Sequence, residues 1–549
     1  MRNGIGKIVG GKRGKKNKDR ATGGKRLCRR RRDDSMGCQS HNIFLTISNS
    51  VSKMTENQNK GKFYITTSIA YVNAPPHVGF ALESIQADVL ARYHLIKGYD
   101  VFFLTGTDEH GVKIARAAEA EGKEPKKFVD ENAEKFRALK EVLNLSWNDF
   151  IRTSDQKRHW PGAQKLWIKL YDAGDLYKKN YRGLYCVGHE AFVTEKDLVN
   201  GKCVDHEREP EIIEEENWFF RLSKYSKEIE SRIKNQELRV FPETRANEIL
   251  SLIKGGLEDV SFSRPRKDLS WGIPVPNDSE HTMYVWCDAL ANYITALGYG
   301  QEENYKFSKW WPADLHVIGK DILRFHVAIW PGMLLAAGLS LPKAIFVHGF
   351  ITVGGQKMAK SIGNVIDPSE LTQKYGIDPV RYYLLREIPS GEDGDFSYKK
   401  FEDRYNGDLA NGLGNLVARV AALGEKISPI NFHFGRDIDA TAKKETENVF
   451  GAYEKCLEEI KLNEALASIW TLISFGDKYI NDKRPWEISD KEELRKIIAS
   501  AGYLIGTITN LLNPFLPETS DKIREQISFE DSIIKIKKGG NLFPRILNC

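Results

Sequence analysis

The 549-residue chain contains no apolar run near the roughly 20 residues that a membrane-spanning helix needs, which excludes a transmembrane segment of that kind. Its seven cysteines are scattered and odd in number, which argues against a disulfide framework and for a reducing, cytoplasmic setting. A strong overall charge is also missing once one segment is set aside. The formal net charge is +6, but residues 1–53 hold 15 Lys and Arg against 3 Asp, leaving 66 basic against 72 acidic residues in the rest. That segment, Gly10-Gly11-Lys12-Arg13-Gly14-Lys15-Lys16 through Arg29-Arg30-Arg31-Arg32, is glycine-rich, repels itself and cannot bury a core. Residues 1–60 are therefore expected to be a basic, disordered extension. It is Arg-rich and nearly acid-free like an organellar transit peptide, but it lacks amphipathic periodicity. Two readings of it stay open: a start-site extension ahead of an ordered protein that begins near Met54, or a basic arm that touches RNA without sequence preference.

One core does not suffice at this length, and about three to four domains are expected. Residues 63–67 read as a strand, 81–96 as a helix, 101–104 as a second strand, and 126–142 as a charged helix whose Phe128, Ala133, Phe136 and Leu139 make one apolar stripe. Such alternation over 61–175 predicts the first half of a Rossmann-like α/β domain, a parallel sheet that binds ligands at the carboxyl ends of its strands. The pattern resumes over 281–400, with strands at 315–318 and 344–347 and a helix running to Leu335. Between the halves, over 176–280, short apolar segments, charged turns and a Cys/His cluster read as an insertion. Over 401–549 four amphipathic stretches, near 401–425, 441–461, 463–482 and 490–513, predict an all-helical bundle.

Two short segments carry chemistry. Pro76-His77-Val78-Gly79-Phe80 places an imidazole and a glycine where a helix begins, so that backbone N–H groups and the helix dipole can face a phosphate. Lys357-Met358-Ala359-Lys360-Ser361, preceded by Gly354-Gly355, brings two ammonium groups on a loop able to clamp the same triphosphate from the other side. With Gly106-Thr107-Asp108-Glu109-His110-Gly111, these segments resemble the class I aminoacyl-tRNA synthetases, most closely the methionyl-tRNA synthetase family, over residues 62–545.

The resemblance implies a class I Rossmann-like parallel sheet with an inserted connective domain, followed by an anticodon-binding bundle. It implies a ligase that uses ATP and Mg²⁺ to make methionyl-adenylate and pyrophosphate, then transfers methionine to the 3′ end of tRNA(Met), with initiator and elongator tRNA both as partners. His77, Gly79, Gly319, Asp321 and Lys360 would contact ATP, with His77, Lys357 and Lys360 stabilising charge in the reaction. Two departures stand out: Phe80 replaces a histidine and cannot donate a hydrogen bond, and Ala359 replaces a serine. For Asp321, at a strand-to-helix junction, a ribose contact and a helix cap are both compatible with the position.

Carried over by position, the methionine pocket would be Ile69, Tyr71, Trp286, Ala289, Tyr293, Ile322 and His326, with Asp108 holding the α-ammonium group. An aromatic cage with one hydroxyl and one imidazole suits a polarisable thioether. Cys186-Val187-Gly188-His189 and Cys203-Val204-Asp205-His206 form two C-x₂-H pairs that can supply four ligands to a tetrahedral zinc, although the family more often carries Cys where His189 stands. Asn411, Asn415 and Arg419 recur every four residues and so share a helix face, and Trp486 follows Pro485. Amides and a guanidinium suit base edges and an indole suits base stacking, and these four positions match those that read the anticodon in the family. A monomer is expected, because little sequence follows Leu542-Phe543-Pro544-Arg545 to form an appended β-barrel domain.

Two alternatives differ in kind. A relative acting on another apolar amino acid is disfavoured by a 176–280 segment too small for a large separate editing domain. A noncatalytic tRNA-binding relative has only Phe80 and Ala359 in its favour.

Overall fold

The computed structural model describes residues 60–546, apart from 189–190, 194, 196–197, 205–206, 303–304 and 359–362. The basic segment up to residue 59, together with Ala359, Lys360, His189 and His206, lies outside the described residues.

A central sheet is built from β1 (Lys62–Thr67), β2 (Ala70–Tyr71), β3 (Asp100–Asp108), β4 (Asp149–Arg152), β5 (Arg239–Phe241), β6 (Leu315–Gly319) and β7 (Ala344–His348), all paired in parallel. Its order is β5-β7-β6-β1-β3, with β4 beyond β3 and β2 pairing the last two residues of β3. Both faces are covered, so β6 and β7 are buried throughout and read as apolar runs. The period of two still shows in what each side chain touches. Ile65, Phe103, Val317 and Phe346 join one apolar cluster, while Tyr64, Phe102, Leu104, Ile318 and Val347 join the other.

The sheet order reverses between β1 and β6, and the crevice beyond their carboxyl ends is where a doubly wound sheet binds ligands. Helix α1 (Val78–Ile96) rises from this crevice and packs on β1 and β3. It starts three residues earlier than the apolar periodicity predicts, because the His77 side chain caps it.

Other elements depart from the sequence-based reading. The 176–280 segment holds a four-stranded antiparallel sheet that includes Leu176–Cys186 and Glu211–Phe220, but it also returns β5 to the edge of the central sheet. The helix expected up to Leu335 is broken into a 3₁₀ turn at Lys320–Ile322, a π-helical turn at Phe325–Ile329 and an α-helix at Trp330–Ala336. Pro331 has no N–H to give to the preceding turn, which accounts for the irregularity there. The C-terminal region is helical, with Ala440–Glu458, Leu462–Lys483 and Lys491–Leu512 close to their expected places. It also carries a small sheet of Ile430–Asn431, Ile533–Ile536 and Ile527–Glu530 that the all-helical reading missed. Runs as short as Ile533-Ile534-Lys535-Ile536 cannot be told from helix by periodicity. Among the described residues no helix is long and apolar enough to cross a membrane.

Candidate active site

A cavity of about 430 Å³ opens at the carboxyl ends of β1, β3, β6 and β7. Its wall includes His77, Gly79, Gly319, Asp321 and Lys357 from the expected ATP contacts, and Ile69, Tyr71, Asp108, Trp286, Ala289, Tyr293, Ile322 and His326 from the expected amino-acid pocket. Two sets of residues assigned to different substrates thus share one space.

His77 is the N-cap of α1, in extended backbone conformation, and its Nδ1 accepts the Gly79 N–H at 3.0 Å. An accepting Nδ1 leaves the proton of the neutral ring on Nε2. Burial lowers the pKa of His77, and the charge of Asp321 opposes that shift. The first-turn amides are not bare, as the sequence suggested they would be. Val78 N–H donates to the Ile366 carbonyl at 3.1 Å, and Phe80 and Ala81 donate to the His77 carbonyl at 3.0 and 3.1 Å. What this helix start can offer a phosphate is therefore its dipole and an imidazole N–H. Gly79 is required by closeness: a Cβ there would lie 2.7 Å from His77 Cε1. Phe80, the departure from the family pattern, sets its ring edge-on to Phe136 at 5.2 Å between centroids, an apolar contact in place of a donor.

The lysine segment begins as a hairpin. β8 (Ile351–Val353) and β9 (Gln356–Lys357) pair antiparallel across Gly354 and Gly355, whose φ values of 61° and 75° are those of a two-residue primed turn. One oxygen of Asp395 accepts both the Gly355 N–H at 2.8 Å and the Thr352 hydroxyl at 2.7 Å, fastening the turn. The Lys357 ammonium lies 4.5 Å from the centre of the Phe350 ring, and so does that of Lys320.

In the amino-acid half, Tyr293 Oη and His326 Nε2 are 2.7 Å apart, and His326 Nδ1 faces the Ile322 carbonyl at 3.0 Å. A carbonyl only accepts, so Nδ1 carries the proton and the Tyr293 hydroxyl donates to Nε2. Burial lowers the His326 pKa to about 4, keeping the ring neutral. Burial likewise raises that of Tyr293. Trp286 stacks on Phe325 with centroids 3.7 Å apart. Asp108, at the end of β3, is buried.

The sequence reading missed Glu83, His348 and Ser68, which also line the cavity. Glu83 and His348 pair across 265 positions, and only the strand order brings them together.

Two further groups lie elsewhere. Cys186 and Cys203 are buried with Val193 in one small cluster, while among the described residues no three metal-ligating side chains gather around one point. In the C-terminal half, Asn411 lies on a π-helical stretch, Tyr405–Gly414, while Asn415 and Arg419 lie on the helix Asn415–Gly424 that continues it. Asn411 and Asn415 are exposed, as is Trp486 at 55%. Arg419 donates to Asp477 at 3.1 Å and to Asn481 at 2.6 Å, and its guanidinium lies 6.0 Å from the Trp486 ring.

Comparison with known proteins gives the class first. The family described as tRNA synthetases class I (M) matches residues 63–204 and 193–421, and the anticodon binding domain of methionyl tRNA ligase matches 434–538. A curated methionine–tRNA ligase of Thermotoga maritima is 44% identical over 485 residues, 86% of this chain and 76% of that protein. Its counterpart in Bacillus subtilis is 41% identical over 524 residues, 89% of this chain and 78% of that protein. The solved structure of Mycobacterium tuberculosis methionyl-tRNA synthetase in complex with methionyl-adenylate superimposes with a TM-score of 0.82 at 37% identity, covering 88% of this chain and 100% of that one. The chain belongs to the methionyl-tRNA synthetase family of class I. It is a ligase that activates methionine with ATP and charges tRNA with it.

Proposed function

We propose that the cavity at the strand ends is where methionine and ATP react. The observation that carries this is the convergence of both residue sets on one wall. The methionine carboxylate attacks the α-phosphate in line, and negative charge grows on the departing pyrophosphate. His77 through its Nε2–H, Lys357 and Lys360 oppose that charge, so the chain needs positioning and electrostatics rather than a covalent nucleophile. Mg²⁺ carried by ATP would supply charge neutralisation on the triphosphate beside these side chains. Asp321 and Gly319 receive the ribose, Asp108 the α-ammonium group, and the Trp286, Tyr293 and His326 wall the thioether. A terminal ribose hydroxyl of tRNA then attacks the adenylate.

The anticodon falls to Asn411, Asn415, Arg419 and Trp486, whose exposed amides and indole suit unstacked bases. Zinc fits the two buried thiols of Cys186 and Cys203, which share one cluster, with His189 and His206 completing the set. Metal analysis of the purified chain should find about one zinc, lost in Cys186→Ser; a metal-free, folded chain contradicts this. The scattered cysteines favour a reducing cytoplasm.

His77→Ala tests the site. The kcat of methionine-dependent ATP–pyrophosphate exchange should fall about 100-fold, as for loss of one transition-state donor, with the KM for methionine little changed. Unaltered exchange kinetics would contradict the assignment of the cavity as the site of adenylate formation.

A further inference from the structure

Ser68, Glu83 and His348 meet at the cavity wall from three different elements: Ser68 follows β1, Glu83 lies in α1, and His348 ends β7. His348 Nε2 is 2.8 Å from Glu83 Oε2, and His348 Nδ1 is 2.7 Å from the Gly349 carbonyl oxygen. A carbonyl only accepts, so Nδ1 carries a proton, and a second proton on Nε2, donated to the Glu83 carboxylate, would make the ring an imidazolium. The other oxygen of Glu83 accepts the Ser68 N–H at 2.8 Å and the Ser68 hydroxyl at 2.6 Å. Glu83 and His348 are 4% and 5% exposed, where attraction between opposite charges is weakly screened. Among the described residues, the charged groups that act most on His348 are Glu83 from α1 and Asp321 from the turn after β6. Burial pulls its pKa down, but the hydrogen bond and charge of Glu83, the Gly349 carbonyl and Asp321 hold it above the ordinary histidine value.

We propose that the Glu83–His348 ion pair is a positioning device for adenylate formation, tying the Ser68–Tyr71 side of the cavity and the strand that leads to the Lys357 hairpin to the helix capped by His77. Ser68 directly precedes Ile69 and Tyr71 of the amino-acid pocket. His348 stands three residues before β8, so its anchorage sets where the hairpin leaves the sheet. The imidazolium also borders the stretch assigned to the ribose, since a Cβ on Gly319 would lie 3.7 Å from its Cε1 and Nε2. Loss of the pair would leave both substrates able to bind but less well aligned, which lowers kcat more than it raises KM.

The inference rests on the cavity being the adenylation site, and the test separates the two. Full-length wild type, Glu83→Gln and His348→Gln are compared by exchange kinetics from pH 6 to 9, with the His348 signal identified in NMR by its loss in His348→Gln. Wild-type His348 is expected to be charged at pH 7, with kcat falling on the alkaline side as it deprotonates. Glu83→Gln should lower the His348 pKa by about one unit or more and carry the alkaline limb down with it. Its kcat at pH 8 should be about tenfold below wild type and recover toward pH 6, with the KM for methionine within about twofold. His348→Gln should be slow at every pH, with no such limb. A neutral His348 in wild type at pH 7 overturns the inference, as does a wild-type pH profile in Glu83→Gln. Should Glu83→Gln not fold, the wild-type titration decides alone. If exchange survives His77→Ala instead, it is the assignment of the cavity that fails.

Discussion

His326 shows how burial sets the behaviour of a single side chain. Its ring is held between the Ile322 carbonyl and the Tyr293 hydroxyl, and only the neutral ring can donate to one and accept from the other. Its pKa falls from an ordinary 6.5 to about 4 because burial disfavours the charged form. The unfolded chain therefore takes up this proton first. The stability His326 contributes is complete above pH 6.5 and is lost as pH falls toward 4, on the order of 3 kcal/mol over that window. Denaturant melts of wild type and His326→Gln between those pH values should show a shallower decline in the variant; parallel declines would mean that the ring is not held neutral. The candidate site residues differ in how far sequence reveals them. His77 and Gly79 lie within one turn of helix, so a local motif exposes them. Glu83 and His348 gain meaning only from the order of strands, which no local pattern encodes.

At the scale of elements, long periodic segments were legible and irregular ones were not. The helices Ala440–Glu458, Leu462–Lys483 and Lys491–Leu512 each lie within three residues of the stretches that periodicity marked, boundaries being the part of a helix that sequence places least well. The broken segment after β6 and the short C-terminal strands escaped, because a proline and runs of four residues leave no period to read. Asn411 lies in π geometry and Asn415 and Arg419 in α geometry, a change that a constant spacing of four does not reveal, and both amides are exposed. Trp486 follows the end of the helix Leu462–Lys483, whose C-cap Arg484 has left-handed φ of 44°, and its side chain is exposed. Trp486→Ala should lower kcat/KM for aminoacylation about tenfold or more, the worth of one base stack, and leave exchange unchanged. Equal loss in both assays would place Trp486 outside anticodon recognition.

For the whole molecule, one apolar cluster runs from the sheet through α1 into the C-terminal helices, from Ile65 and Phe103 to Leu504 and Leu516. Arg381 is fully buried within this region, donating to Asp88 of α1 at 2.8 Å and to the carbonyls of Leu143 at 3.0 Å and Phe515 at 2.8 Å. A buried guanidinium with each face satisfied binds the helix that rises from the cavity to the part of the chain that matches an anticodon-binding domain. Sequence alternation predicted the sheet and the order of parts, but not this joint or the return of β5 from the 176–280 segment, since both depend on contacts between distant residues. The most direct test of the account is ATP–pyrophosphate exchange by the full chain against a panel of amino acids. Exchange is predicted with methionine and not with isoleucine, leucine or valine. Exchange driven by a different amino acid, or none with methionine, would contradict it.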